Sequence, residues 1–491
     1  MARSTDQDNI ACIAQPATLP CGRVLPNRLV KAAMEEMLST ELQEALYEVW
    51  AEGGWGMLIT GNVQVSPAHL GTPFDLAVPP RPVPPSSLSF FARWARSTRS
   101  TSSRPRPVAV VQLNHPGRQS MRVLCGRSPS SPALAPSAVP LSVAGPLGRL
   151  LWGTPRAMTE GDIDQVVDEF VNAARVVREA GWDGVQLHAS HGYLLASFLS
   201  PKVNRRTDGY GGTARKRLKL LFRIIDGIRA ECPQSDGFCV GVKLNCSDFV
   251  KGGLTEQDAL DNVKWIAEHG GVDFLEISGG SYESPEFMTP EASSKRPSTF
   301  AREAFFDSFS QRARWLLSTL PPSTLPSPIP LIILTGGFRT RSGISRALST
   351  SSKQPAAADL AGLARPAAAD PFLPLSILSP SVPASAARAP AYDSLYGVRW
   401  LRALLGWVAV AGPGLDVLWH TMALRQVALR RAAERKRGVE QVQRTGAGEY
   451  ELCGFWRMAW RTWVRPVVPN WLGGVAAALL FAVLGRGWKW A

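Results

Sequence analysis

Eight short apolar runs, each followed by a stretch of helical periodicity, dominate the chain from about Val30 to Arg365. In order they are "RLVKAAM", "GMLITGNV", "PVAVVQL", "DGVQL", "FCVGVKL", "VDFLEIS", "IPLIILTG" and "ADLAGLA". Their length and their β-branched content read as strands. Between them lie amphipathic stretches such as 159–181, which opens on Thr159 as N-cap, spaces its apolar residues at three and four, and closes on Gly181. The segment "TEQDALDNVKWIAEHGG" at 255–271 repeats that design. Eight consecutive β-then-α units fit an α/β fold of the closed (β/α)8 TIM-barrel type. An open doubly wound sheet fits less well, because no G-x-G-x-x-G follows the first strand.

A closed barrel of this kind gathers its chemistry at the C-terminal ends of the strands, so the residues standing there carry the functional reading. They are Ala33 and Met34, Gly61 and Asn62, Gln112, Asn114 and His115, His188 and His191, Lys243, Gly336 and Gly337, and Ala364 and Arg365. The last two strands end in "LTGGF" and "GLARP". Glycines there let the main chain approach a phosphate, and an arginine can fork onto its oxygens. A phosphorylated ligand or cofactor is therefore expected. Lys243 follows the buried run "CVGV" and would bring a positive charge near the barrel axis, where a group gaining negative charge could use it. His188 and His191 are two of only six histidines. Their spacing would allow a chelate, but no third His, Cys or carboxylate stands at a recognisable spacing nearby, so no metal is expected. Two imidazole N–H donors serving one oxygen is the better account.

These residues bring a family into view. The motifs "LPNRLVKAAM", "VQLNHPGRQS", "GWDGVQLHASHGYLLASFLSPKVNRRTDGYGG", "VGVKLN", "LTGGF" and "DLAGLARP" stand in family order on the expected strands. Over about residues 15–375 the chain resembles the old yellow enzyme family of FMN-dependent ene-reductases, in its branch of NADH:flavin oxidoreductases and NADH oxidases. The resemblance implies FMN as cofactor and NADH or NADPH as electron donor. Ala33, Met34, Gly61 and Gln112 would line the flavin ring, and Lys243 would stabilise its anionic reduced form. Gly336, Gly337, Ala364 and Arg365 would hold the phosphate. His188 and His191 would bind the carbonyl oxygen of an α,β-unsaturated substrate, with Tyr193 as proton donor, in a ping-pong exchange of hydride. Two positions depart from the family pattern. Glu35 stands where a Thr or Cys usually contacts the flavin, placing a carboxylate beside a group that becomes negative. Ala364 replaces the usual Gly and would be strained if φ were positive there. These departures motivate a second reading, a catalytically weakened flavin-binding protein that could be attached to a membrane.

The chain has 491 residues and a formal charge of +14, and residues 391–491 hold 14 Lys/Arg against 6 Asp/Glu. The basicity is regional, suiting a solvated helix face or an anionic lipid surface. A small-molecule substrate is expected and no nucleic-acid partner. Seven cysteines without CxxC spacing point to a reducing compartment, and the N-terminus lacks the apolar core of a secretory signal, so a cytoplasmic protein is expected. Composition divides the chain into a barrel at 15–370, a Pro/Ala/Ser linker at 371–391, and a Trp-rich, basic, mostly helical extension at 392–491. Two apolar runs of that extension, 403–424 and 471–485, carry flanking Trp and Arg but are too short or too interrupted to span a bilayer. Peripheral membrane contact through residues 400–490 and a helical module packed on the barrel are the two readings of this tail.

Overall fold

A computed structural model describes residues 2–99, 104–123, 125–143, 145–280, 282–283, 298–326, 328–350, 355–390, 411–439 and 442. All eight expected strands form: β1 (Leu29–Lys31), β2 (Met57–Gln64), β3 (Val108–Asn114), β4 (Gly184–Ala189), β5 (Cys239–Asn245), β6 (Phe274–Ser278), β7 (Leu331–Thr335) and β8 (Leu360–Leu363). Each pairs in parallel with the next, and β8 pairs back onto β1 through Gly362 and Val30, so the sheet closes into a barrel. The register sets His188 beside Lys243 and Lys243 beside Glu276, while Asn62, Gln112 and Gln186 stand side by side on β2, β3 and β4.

Inside the barrel, Val30, Met57, Ile59, Val108, Val110, Phe274, Ile333 and Leu360 form one apolar plug, closed below by Leu19 and Leu25 of an N-terminal hairpin. Gly241 is required there, since a Cβ would lie 2.1 Å from the Phe274 ring. A second, larger core lies between the strands and the helices around them. Helices α1 (Ala2–Ala14), α2 (Thr40–Ala51), α3 (Pro85–Ser97), α4 (Glu160–Glu179), α5 (Lys219–Glu231), α6 (Glu256–His269), α7 (Ser298–Thr319) and α8 (Arg341–Leu348) surround the sheet. Thr159 caps α4 and Thr255 caps α6, each in a reciprocal box with the Asp three residues on. Helix α4 buries Ile163, Val166, Val167, Phe170, Ala173, Ala174 and Val177, the face its spacing predicts.

Residues 371–390 are not a free tether: Phe372, Leu373, Ile377, Ala387 and Ala389 are buried in the outer core. The fully buried Arg341 of α8 secures this segment, donating to the carbonyls of Ser376, Ile377, Ser379 and Val382 and pairing with Asp6 of α1. After the short helix α9 (Arg365–Ala369) the chain returns as α10 (Ala411–Lys436), which packs along α2 and touches α9. Trp419, Leu424, Val427 and Ala428 are buried there, and Arg431 and Arg435 pair with Glu48 of α2. Residues 371–390 and α10 thus both pack on the barrel's helices. The apolar face of the first tail run, from Leu415 on, is spent on the barrel rather than left for a lipid surface. Among the described residues no helix is long and apolar enough to cross a membrane. The second run, 471–485, lies outside the described residues.

Candidate active site

The loop after β1 is held from beneath by a buried ion pair, which aims its residues at the barrel mouth. Lys31 Nζ lies 3.0 Å from Glu36 Oε1, donates to the Ile59 carbonyl at 2.8 Å and sits 4.2 Å from the Trp50 ring, while Tyr47 donates to Glu36 at 2.6 Å. Anchoring Glu36 leaves Ala33, Met34 and Glu35 on the wall of a cavity of about 570 Å³ at the C-terminal ends of the strands. That size and position are those of a ligand site in such barrels. Gln112, His188, His191, Tyr193, Lys243, Gly336, Gly337, Ala364 and Arg365 also line it. Every residue expected to hold flavin or substrate borders this cavity except Gly61, and of the other strand-end residues Asn114 and His115 do not line it. Gly61 lies behind the loop, donating its N–H to Glu36 at 3.1 Å, and a Cβ would come within 2.5 Å of the Met34 carbonyl. A glycine there is required by that close backbone approach.

At one end the two imidazoles meet edge to face, with His188 Nε2 3.1 Å from His191 Nδ1. His188 Nδ1 lies 2.7 Å from Asn62 Oδ1, and His191 Nε2 lies 2.8 Å from Ser278 Oγ. His191 adopts a left-handed φ of 59°, unusual for a residue with a side chain. Its peptide groups hold that turn, the N–H donating to Asn245 Oδ1 at 3.1 Å and the carbonyl accepting from Gln119 at 2.7 Å. Burial first, then neighbouring positive character, holds both imidazoles well below the usual histidine range, so they are neutral. The Tyr193 hydroxyl lies 3.3 Å from that of Tyr282, and burial keeps both phenols protonated, Tyr282 being pushed up to about 12. Asn62 Nδ2 bonds the Glu35 carboxyl and lies 3.5 Å from the Tyr193 hydroxyl. Burial, with the Asp75 charge adding to it, raises the Glu35 carboxyl well above the usual carboxylate range.

On the floor, Lys243 Nζ lies 3.0 Å from Glu276, which also accepts from Gln186 at 2.7 Å. Gln112 donates its backbone N–H toward Thr60 at 2.9 Å, but its buried side-chain Nε2 has no hydrogen-bond partner among the described residues. An orphaned amide of this kind is what a heteroaromatic edge with a carbonyl acceptor would satisfy. At the far end Gly336 and Gly337 have φ of 122° and 73°, conformations glycine adopts without strain, and the space beside Gly336 is open. Ala364 has φ of −95°, so the alanine there is unstrained. Arg339, Arg346 and Arg365 converge on this end, joined by Asp416, Val417 and His420 of α10. Arg365 Nη1 bonds Asp416 Oδ2 at 3.1 Å. Strand position alone could have singled out Asn62 and Ser278 as partners of the imidazoles. Nothing local in the sequence points to Asp416 or His420.

Cys21, Cys239 and Asp273 also gather, beside the inner plug and away from this cavity. Asp273 is already engaged by Arg229, Gln234 and the Val240 N–H.

Known proteins resemble this chain in sequence and fold. Residues 15–315 match the model of the NADH:flavin oxidoreductase / NADH oxidase family. The chain belongs to that family. Its members use FMN as cofactor and NADH or NADPH as electron donor, and the orphaned Gln112 amide and the glycine and arginine end of the cavity fit such a flavin. An NADH-dependent flavin oxidoreductase, iliE, of Neonectria sp. (strain DH2) is 42% identical over 74% of this chain, which spans 47% of that protein's length. Another, iccE of Talaromyces variabilis, is 39% identical over 79% of this chain and 93% of its own. Among solved structures, a 2-naphthoyl-CoA reductase complex superposes with a TM-score of 0.63 at 21% identity, covering 77% of this chain and 54% of that one. Morphinone reductase superposes at 0.56 and 20% identity, over 74% and 88%. These two likenesses show the fold.

Proposed function

We propose that this protein is an FMN-dependent NAD(P)H oxidoreductase that passes hydride to an activated alkene of the α,β-unsaturated carbonyl class. The observation that carries the reading is the convergence of the His188 and His191 imidazoles with Tyr193 on the same cavity as Lys243 and the unpartnered Gln112 amide. When bound, FMN supplies the two-electron relay between nicotinamide and acceptor. Gln112 would pair with its pyrimidine edge and Lys243 would offset negative charge beside it. Gly336, Gly337, Ala364 and Arg365 would hold its phosphate. The neutral imidazoles would donate to the acceptor's carbonyl oxygen, exchanging a bond now made to each other or to Ser278, and so favour the enolate as it forms. Tyr193, kept protonated by burial, would deliver the proton to the adjacent carbon.

The test is an anaerobic titration of the purified yellow protein with NADH and then NADPH, followed by a panel of enones. Bleaching by nicotinamide and recovery with an enone is the expected result. A flavin that nicotinamide reduces but no enone reoxidises would reject the acceptor class. The carboxylates of Glu35 and Asp416 on the cavity wall favour a second reading, a flavin-binding protein of weakened activity. Bound flavin that no nicotinamide reduces would support that one.

A further inference from the structure

Five side chains at the imidazole end form one unbroken hydrogen-bonded row. Glu35 bonds Asn62 Nδ2; Asn62 Oδ1 meets His188 Nδ1 at 2.7 Å; His188 Nε2 meets His191 Nδ1 at 3.1 Å; and His191 Nε2 meets Ser278 Oγ at 2.8 Å. Each neutral imidazole has one N–H and one bare nitrogen, so fixing one link fixes the next. An ionised Glu35 offers only acceptors, so Asn62 must turn its NH2 toward it and its carbonyl toward His188. His188 then carries its hydrogen on Nδ1 and presents a bare Nε2. His191 must therefore also carry hydrogen on Nδ1, and its Nε2 accepts from Ser278. A neutral Glu35 can itself donate, which frees the amide to turn over. Every link can then reverse, with both imidazoles protonated on Nε2 and Ser278 accepting. Both arrangements satisfy the whole row without charging either ring.

We propose that Glu35 is a positioning residue which, through the Asn62 amide, sets which nitrogens of His188 and His191 carry hydrogen and thus how the pair meets an acceptor oxygen. The consequence for the acceptor rests on the function proposed above; the linkage itself does not. Several groups face Glu35. Asp75 and Glu36 add like charge, and the Tyr193 and Tyr282 phenols lie across the cavity. Thr421 of α10 donates to the Glu35 backbone carbonyl at 3.3 Å. Burial and these carboxylates keep the Glu35 proton to a higher pH than usual. The row is locked with hydrogen on Nδ1 above that pH and released below it.

The test is a pH series of histidine nitrogen spectra on the FMN-loaded, 15N-histidine-labelled protein, with the Glu35 carboxyl followed by 13C. Expected is a shift of two ring systems from the Nδ1–H pattern toward Nε2–H as pH falls, in step with Glu35 and without either ring becoming charged. Glu35→Gln, which can donate or accept at every pH, should abolish the shift. Asn62→Ala should uncouple the rings while Glu35 still titrates, and it covers the case in which Glu35→Gln does not fold. Ring patterns that stay constant while Glu35 titrates, or that shift equally in Glu35→Gln, overturn the proposal. These spectra need no turnover, so a failed enone assay beside a positive shift would reject the acceptor class alone.

Discussion

The two ends of the cavity are built in opposite ways. The imidazole end is assembled from strand ends and the loops next to them: Glu35, Asn62, His188, His191, Ser278 and Tyr282 each lie within four residues of a barrel strand. Its groups are buried or half-buried and joined to one another. The far end is a ring of charges, Arg339, Arg346 and Arg365, completed by Asp416 and His420 from a helix that returns about fifty residues later. One end is specified by strand order, and the other depends on a long-range return of the chain.

Removing the support of the returning helix should separate the two ends most sharply. Trp419→Ala empties a fully buried indole site and should cost about 3–5 kcal/mol, read as a lower denaturant midpoint, together with weaker FMN binding. An unchanged midpoint would mean that α10 does not help hold the barrel. Next in size, replacing both His188 and His191 with Ala should slow enone-driven flavin reoxidation by about a hundredfold or more, since the pair's donors are lost. Stopped-flow should find NADH-driven reduction far less affected; equal loss in both half-reactions would reject the role given to the pair. Arg365→Ala removes a charge-assisted contact from the end of the cavity proposed to hold the phosphate. It should weaken FMN about 10- to 100-fold by fluorescence titration, with a smaller effect on riboflavin, which lacks the phosphate. The smallest effect should come from Asp416→Asn. This frees Arg365 from its carboxylate partner and should tighten FMN about threefold to tenfold at low salt, fading as salt is added. Weaker binding in that variant would mean that Asp416 orients Arg365 rather than competing for it.

The same contrast explains what was legible in the sequence. Strand runs and helix caps are local, so all eight strands, Thr159 and Thr255 follow from periodicity and capping chemistry. The strand-end rule then finds eleven of the residues lining the cavity, while Gly61 stands behind that wall, where close backbone approach also calls for a glycine. The Pro/Ala/Ser segment 371–390 reads as a tether because small residues carry no periodic signal, yet Arg341 can cross-link their carbonyls. Helix α10 carries an apolar face with Trp and Arg, a pattern that a lipid surface and a barrel wall satisfy equally. Only its partners distinguish them: Glu48 for the arginines, and the core around α2 for Trp419.

The Asp416–Arg365 contact also orders events in time. A ribosome making this chain releases the strands, glycines and imidazoles well before α10, so the nascent protein has a cofactor mouth whose far wall has yet to arrive. Flavin that enters early meets Arg365 before the Asp416 carboxylate is beside it, whereas flavin that enters after synthesis meets the two already in contact. Loading during translation and loading of the finished protein are therefore different reactions, and reconstitution of purified material reports only the second.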